Sequence, residues 1–95
     1  MKIVIVGAGV VGEALCSELS EINNDVILIE KEEDILNKVI EKNDITGLAG
    51  NGASYENLLE AGVDTADIFI AVTEADELNI ISCIMAKKLG ANYTI

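Results

Sequence analysis

The chain has 95 residues, 51% hydrophobic and 24% charged, which is typical of one small globular domain. Its 17 acidic and 6 basic residues give a net charge of −11 without any histidine, and this argues against nucleic acid or an anionic membrane surface as a partner. No apolar run is long enough for a membrane span and no signal-peptide pattern is present, so we expect a soluble protein that is not exported and not inserted in a membrane.

The chain opens with a strand followed by a helix. Residues 2–6 are a β-branched apolar run that stops at Gly7, as in a strand buried on both faces of a parallel sheet. A helix is predicted over residues 10–21. The apolar positions that indicate it recur at helical spacing and are Val11, Leu15, Leu19 and Ile22.

A second and a third strand–helix pair follow. Residues 26–29 read as a buried strand ending at Glu30, and residues 45–49 as a weaker third strand. The helix between them has acidic residues in its first turn, which complement the positive end of its dipole. Its apolar positions are Ile35, Leu36, Val39 and Ile40. Ser54 is predicted to cap a short helix that Gly62 ends.

The last third of the chain repeats the pattern. Residues 68–72 are predicted as a fourth buried strand and residues 76–89 as a fourth helix, with Gly90 as its C-cap. Residues 93–95 begin a fifth strand that the sequence does not finish, so we expect the domain to be truncated there.

The alternation of strands and helices predicts the fold class. Short turns between alternating elements mean right-handed crossovers and a parallel sheet with helices on both faces. With the first strand central, we expect strand order 3-2-1-4-5 in a three-layer, Rossmann-like, doubly wound α/β domain that spans residues 1–95.

A glycine motif joins the first strand to the first helix. Gly7-Ala8-Gly9-Val10-Val11-Gly12 is a GxGxxG sequence, which is weak evidence alone and informative in this position. Gly7 permits a tight turn, Gly9 allows backbone to approach a pyrophosphate, and Gly12 lets helix and strand pack closely. The N–H groups of Val10 and Val11 are predicted to hold phosphate oxygens.

An acidic residue stands where this motif requires one. Glu30 ends the second strand 18 residues after Gly12, where a carboxylate accepts hydrogen bonds from the adenosine ribose. A carboxylate there repels a 2′-phosphate, which favours NAD(H) over NADP(H). Lys31 follows directly and is a complication, because basic residues at this point accept a 2′-phosphate.

Two further segments follow strands at the edge where open α/β sheets bind ligands. Asn51-Gly52-Ala53 is predicted to border adenine, although ordinary turn chemistry also explains an Asn-Gly pair. Thr73 and Glu74 are predicted to face the glycine loop, Thr73 bonding a ribose or phosphate or else capping the next helix. Asp76, Glu77 and Asn79 are as well explained by helix capping as by ligand contact.

The fourth helix carries more apolar residues than one sheet face needs. They spread over about half a turn of the helical wheel, against about 100° for a covering stripe. They are Leu78, Ile80, Ile81, Ile84, Met85 and Leu89. The excess surface suits either contact with another subunit or cover by chain beyond residue 95.

Several segments together resemble one known family. These segments are residues 1–12, 26–30 and 50–54, together with Leu59-Glu60-Ala61-Gly62, Ala66-Asp67 and the run from Ala71 through Asn79. They closely resemble the TrkA N-terminal domain, also called the KTN or RCK domain of potassium channels and transporters. Where family members often carry Asp, this chain has Glu30.

The resemblance implies a cytosolic regulatory subunit, not an enzyme, that gates a membrane-embedded potassium transporter or channel subunit from the inner face of the membrane. It implies a homo-oligomer and a bound NAD or NADH, with ATP or ADP as the alternative in related branches. By resemblance, residues 7–11 hold the pyrophosphate, Glu30 the ribose, Asn51 and Gly52 the adenosine surroundings, and Thr73 with Glu74 the far ribose or phosphates.

Two other functions fit the glycine motif less well. A dehydrogenase needs a positioned acid or base and a substrate domain, and this chain has no histidine and no evident active-site pattern around its tyrosines. An assembly module without a ligand is the third alternative, which only binding data separate from a sensor.

Overall fold

Strands and helices alternate along the whole computed structural model, which describes residues 1–95. Each of the first four strands is followed by a short loop and a helix that returns the chain to the same end of the sheet. The elements are β1 Lys2–Val6, α1 Val10–Ser20, β2 Asp25–Glu30, α2 Glu33–Lys42, β3 Thr46–Ala49, α3 Tyr55–Glu60, β4 Ile68–Ala71, α4 Asp76–Leu89 and β5 Tyr93–Thr94.

The five strands form one parallel sheet in the order β3-β2-β1-β4-β5, which confirms the predicted doubly wound fold. Central β1 pairs with β2 on one side, where Val4 lies opposite Ile27, and with β4 on the other, where Val4 lies opposite Phe69. The chain order therefore reverses between β1 and β4, and the loops after these strands diverge to leave a crevice.

Each face of the sheet has its own hydrophobic core, because successive strand side chains point to opposite faces. On one face Ile3, Ile5 and Leu28 pack with Cys16 of α1 and Leu36 of α2. On the other face a second cluster packs against α3 and α4 and includes Val4, Val6, Ile29, Leu58, Phe69 and Ala86. The predicted three-layer arrangement follows from these two cores.

Several helix ends have the predicted chemistry. The Ser54 side chain accepts a hydrogen bond from the Asn57 N–H (3.4 Å) and caps α3. Gly62 has φ +79° just after α3, and Gly90 has φ +125° just after α4, both in the range that favours glycine. None of the helices is both long enough and apolar enough for a membrane span.

Some sequence-based boundaries were wrong. A 3₁₀ turn at Val63–Thr65 was not predicted, since it is too short to show a periodic pattern. Helix α1 ends one residue early, at Ser20. Val11 and Ile22, predicted on its apolar stripe, are 57% and 65% exposed because they lie at the helix start and beyond its end.

Candidate functional site

A cleft of about 630 Å³ opens at the carboxyl ends of the strands, across the reversal between β1 and β4. This volume is in the range of small-molecule sites. Four loops form its walls: those that follow β1, β2, β3 and β4. Short segments that are far apart in sequence therefore meet at one edge of the sheet.

The cleft gathers nine of the thirteen residues predicted to contact a ligand. These nine are Gly7, Ala8, Gly9, Glu30, Lys31, Asn51, Gly52, Thr73 and Glu74. The four that do not line it are Val10, Val11, Gly12 and Ala53. The side chains of Val10 and Val11 are exposed, so only their backbone N–H groups remain as predicted phosphate contacts.

Three different physical reasons account for glycine at positions 7, 9 and 12 of the loop. Gly7 has φ +104°, and a Cβ there would lie 3.0 Å from the Thr73 nitrogen. A Cβ on Gly12 would lie 1.8 Å from the carbonyl oxygen of Gly7, so the close packing of α1 on the loop requires glycine. A Cβ on Gly9 would meet nothing within 4 Å. The protein itself leaves open the space above Gly9.

The start of α1 has no side-chain cap. Its N-cap residue is Gly9, and its first turn closes with the bond from the Glu13 N–H to the Gly9 carbonyl (2.9 Å). The N–H groups of Val10 and Val11 precede that bond, at the positive end of the helix dipole. Backbone donors, a positive dipole end and the open space above Gly9 fit a pyrophosphate.

Glu30 is held by backbone donors from two walls of the cleft. One carboxylate oxygen accepts the Ala8 N–H at 2.8 Å, and the other accepts the Glu32 N–H at 2.8 Å. A carboxylate has about four lone-pair sites, so each oxygen keeps one for another donor. The two hydroxyls of a ribose are suitable donors. The carboxylate is thus oriented before any ligand binds, and it ties the glycine loop to the beginning of α2.

Asn51 is partly engaged in its own loop. Its side-chain oxygen accepts the Ala53 N–H at 2.8 Å, and its carbonyl accepts a bond from the Asn57 side chain at 3.0 Å. The Asn51 side chain thus makes the turn contact that an Asn-Gly pair favours, and its amide NH₂ is the group left for a ligand. A Cβ on Gly52 would lie 2.3 Å from the Val6 side chain, so this loop packs closely on the end of β1.

Thr73 lies in the cleft with its hydroxyl already bonded. The hydroxyl is 2.6 Å from the side-chain oxygen of Asn79 and accepts the Ala75 N–H at 3.2 Å. The N-cap of α4 is Ala75, so Thr73 is not the cap residue. The single hydroxyl proton has two acceptors within the protein, the Asn79 side-chain oxygen and, farther away, the Ala75 carbonyl at 3.3 Å, so a lone pair is what the hydroxyl offers a ligand. That favours a ribose hydroxyl over a phosphate oxygen as its partner.

The sequence did not indicate some cleft residues. Ile35 was expected on the buried stripe of α2 but is 43% exposed and lines the cleft beside Glu30, and Leu78 of α4 lines the opposite wall. Their signal is positional, since each is an apolar residue in the first turn of a helix that follows a cleft strand. Such side chains provide apolar surface for a flat ring.

The charged side chains around the cleft are mostly acidic. Glu30, Glu32, Glu74 and Glu77 line it, against one cation at Lys31. A ligand with a large negative charge is disfavoured in this field, which is stronger in a cleft than on an open surface.

The two thiols do not line the principal cleft. Burial, with a smaller contribution from the nearby charge of Glu13, raises the pKa of Cys16 to about 11. Burial also raises the pKa of Cys83, against the opposing effect of a hydrogen bond from the Ala71 backbone. Both groups therefore favour the neutral thiol.

The chain matches one protein family over nearly its whole length. The model of the TrkA-N domain covers residues 3–95. The chain is 46% identical over 95 residues to a Trk system potassium uptake protein TrkA homolog from Archaeoglobus fulgidus, covering all of this chain and 21% of that protein. It is 39% identical over 89 residues to TrkA from Haemophilus influenzae, covering 94% of this chain and 19% of that protein. The chain thus spans about a fifth of the length of these relatives.

Solved structures share the fold at low sequence identity. The TrkA-N domain of inner membrane protein ybaL from Escherichia coli superposes with a TM-score of 0.74 at 19% identity, over 99% of this chain and 85% of that one. The NAD(P)-binding domain of an exopolyphosphatase-related protein from Archaeoglobus fulgidus gives 0.77 at 11% identity, over 98% and 85%. A 3-hydroxyacyl-CoA dehydrogenase from the same organism gives 0.74 at 20% identity, over 99% and 33%, so enzymes share this architecture.

Proposed function

The chain belongs to the TrkA-N domain family, and on this premise we propose that residues 1–95 are the nucleotide-binding domain of a regulatory subunit of a potassium uptake system. We propose further that it binds NAD or NADH in the cleft and has no catalytic activity of its own.

One observation carries the proposal of a dinucleotide ligand. The open space above Gly9 and the oriented carboxylate of Glu30 lie in the same cleft and are linked through the Ala8 N–H (2.8 Å). The first suits a pyrophosphate and the second suits the two hydroxyls of the adjoining ribose. Pyrophosphate and ribose are neighbouring parts of one adenosine diphosphate group.

The charge of the cleft favours NAD(H) among ligands that contain this group. NADP(H) would add a phosphate beside Glu30, and ATP carries more negative charge than NAD into a cleft with four carboxylates. The glycine loop and Glu30 are proposed to contact only the adenosine diphosphate group, which NAD(H), ATP and ADP have in common. ATP or ADP is therefore the alternative ligand within the same proposal.

The proposal of a binding rather than catalytic role rests on the chemistry of the cleft. Its only ionisable side chains are four glutamates and Lys31. Hydride transfer to a carbonyl needs a proton donor held beside the nicotinamide. Of the usual donors His, Lys and Tyr, only Lys31 lines the cleft. It follows Glu30 on the adenosine side of the proposed ligand, away from the nicotinamide. The named relatives are potassium uptake proteins, which agrees with a regulatory role.

The proposed partner is the membrane-embedded pore subunit of the transporter, reached from the cytoplasmic face. A bound nucleotide alters gating only to the extent that it binds one arrangement of the complex more tightly than the other. We propose that the arrangements are those of a homo-oligomer. The exposed apolar side chains of Ile80, Ile81 and Ile84 on α4 provide surface for it.

Isothermal titration of the chain with NADH, NAD, NADP, ATP and ADP tests the ligand. We expect NADH or NAD to bind most tightly and NADP to bind at least tenfold more weakly, a difference of about 1.4 kcal/mol. Tighter binding of ATP or ADP would assign the alternative ligand. If none of the five binds, the proposal is wrong.

Glu30→Ala tests the site with Glu41→Ala as its matched control, since Glu41 is an exposed glutamate on α2 away from the cleft. Loss of charge-assisted bonds to the ribose should weaken NADH binding by about 10- to 100-fold in Glu30→Ala. Glu41→Ala should bind as the wild type does. Thermal unfolding of both variants would establish that they are folded at the titration temperature.

A further inference from the structure

Asn79 does not line the cleft, yet its side chain makes a two-point contact with a residue that does. Its amide oxygen accepts the Thr73 N–H at 2.9 Å, and its amide nitrogen donates to the Thr73 carbonyl at 3.0 Å. The backbone donor and acceptor of one residue thus determine which way the amide points, so oxygen and nitrogen are not interchangeable here.

The hydrogen bonds from Asn79 begin at the residue where the backbone hydrogen bonds of the sheet end. The last sheet bond on this strand is from the Val72 N–H to the Val6 carbonyl, at 2.9 Å. Thr73 is the next residue, and its N–H and carbonyl are both bonded by Asn79. The amide therefore acts in place of a neighbouring strand and fixes the direction in which the loop leaves β4.

The fixed peptide lies against the glycine loop. A Cβ on Gly7 would be 3.0 Å from the Thr73 nitrogen and 3.0 Å from the carbonyl carbon and oxygen of Val72. The same loop continues into Glu74 and Ala75, which line the cleft. A shift of the Thr73 peptide would therefore change the β4 wall of the cleft.

Asn79 also sets the hydrogen-bonding character of Thr73. The Asn79 oxygen, 2.6 Å from the Thr73 hydroxyl, is the nearer of two acceptors for its single proton, the other being the Ala75 carbonyl at 3.3 Å. With Asn79 in place, the hydroxyl can accept a bond from a ligand but cannot donate one without breaking this contact.

We infer that Asn79 is a positioning residue of the cleft, which fixes the β4 wall and presents the Thr73 hydroxyl as an acceptor toward the part of the ligand beyond the pyrophosphate. The inference rests on the proposed function, because it concerns how the nucleotide is held. It separates two halves of the cleft: an adenosine half organised by Glu30, and a distal half organised by Asn79.

Amide hydrogen exchange measured by NMR tests the contact without any ligand. In Asn79→Ala, exchange of the Thr73 N–H should accelerate by about tenfold or more, while Glu32 and Ala8 keep their rates. Asn79→Asp should restore protection of the Thr73 N–H only in part, because one carboxylate oxygen still accepts it while the other lies against the Thr73 carbonyl without a proton to donate. Asn37→Ala, at an exposed asparagine of α2 away from the cleft, is the matched control and should leave the exchange rate of the Thr73 N–H unchanged. Unchanged Thr73 exchange in Asn79→Ala would overturn the inference whatever the chain binds.

Titration with NADH and ADP then tests the role in binding. ADP spans only the half of the cleft that Glu30 organises, so Asn79→Ala should weaken NADH binding by about five- to tenfold and ADP binding by less than about twofold. Equal losses for both ligands would mean a general structural role and would overturn the inference. Absence of all nucleotide binding in the wild type would instead overturn the proposed function, with the exchange result still deciding whether Asn79 fixes the loop.

Discussion

Gly9 and Gly12 belong to the same motif, yet the structure predicts different effects when each is replaced by alanine. We expect Gly12→Ala to lose stability and Gly9→Ala to lose nucleotide binding. A methyl group on Gly12 would lie 1.8 Å from the Gly7 carbonyl oxygen and 2.8 Å from its carbonyl carbon. Both atoms are backbone, so no side-chain rotation relieves the clash. Ordinary contact begins near 3.4 Å, which requires α1 and the loop to separate by about 1.6 Å.

The expected loss of stability in Gly12→Ala is the balance of two effects. Overpacking in a rigid region costs typically 1–3 kcal/mol and sometimes more, and a backbone clash lies at the upper end of about that range. Alanine in place of glycine within a helix returns about 1 kcal/mol. We therefore expect a net loss of about 2 kcal/mol or more, which for a domain of this size lowers Tm by about 8–16 °C.

Gly9→Ala is the matched comparison. Gly9 has φ −72° and ψ −163°, which alanine adopts readily, and the added methyl group would meet nothing within 4 Å. The free energy of unfolding should stay within about 1 kcal/mol of the wild type. NADH binding should fall by about tenfold or more, because the methyl group occupies the space proposed for the pyrophosphate.

Urea unfolding and isothermal titration of both variants distinguish these effects. We expect Gly12→Ala to be less stable than the wild type, and Gly9→Ala to be stable but to bind NADH poorly. A Gly12→Ala variant as stable as the wild type, or a Gly9→Ala variant that binds NADH with unchanged affinity, would refute this expectation.

Three further predictions concern stability and assembly. Because burial holds the pKa of Cys16 at about 11 against 9.0 ordinarily, the unfolded chain loses the thiol proton first as pH rises, so stability present below about pH 9 should be lost toward pH 11. Urea unfolding of wild type and Cys16→Ala at pH 8 and pH 11 should show about 2–3 kcal/mol more loss in the wild type, and equal losses would contradict this. Ser54→Ala should destabilise by about 0.5–1 kcal/mol in the same assay through loss of the α3 cap, whereas Ser54→Asp should not; equal stability of all three chains would remove the cap as a contributor. Ile84→Asp should convert an oligomer to a monomer in sedimentation if α4 forms the interface, and an unchanged oligomer would place the interface elsewhere.

Much of the fold was predictable because the strands are buried on both faces. Runs such as residues 2–6 have no polar alternation, and only a parallel sheet between two helical layers buries them fully. The glycine spacing then located the crevice, and Gly7 and Gly12 have the conformation and close packing that the motif requires. These features depend on local chemistry and on a regular period.

The parts that were not predicted depend on contacts between elements. Nothing in the sequence around Asn79 distinguishes a helix-capping residue from one that bonds the Thr73 backbone, because the difference lies in where β4 ends relative to α4. Ile35 belongs to an apolar pattern that predicts burial, but its place in the first turn of α2 brings it to the cleft. Likewise, the bond from Ala8 to Glu30 joins residues whose distance only the assembled sheet determines.

The proposed ligand is an adenine dinucleotide that lies across the carboxyl ends of β1, β2 and β4. Titration of the ¹⁵N-labelled chain with NADH, followed by amide chemical shifts, tests it most directly. We expect the largest changes on Gly9, Val10 and Val11, on Glu30 and Glu32, and on the loop from Thr73 to Ala75. Changes concentrated instead around Cys83, Lys87 and Thr94, where a second cavity of about 370 Å³ lies, or the absence of any change, would contradict it.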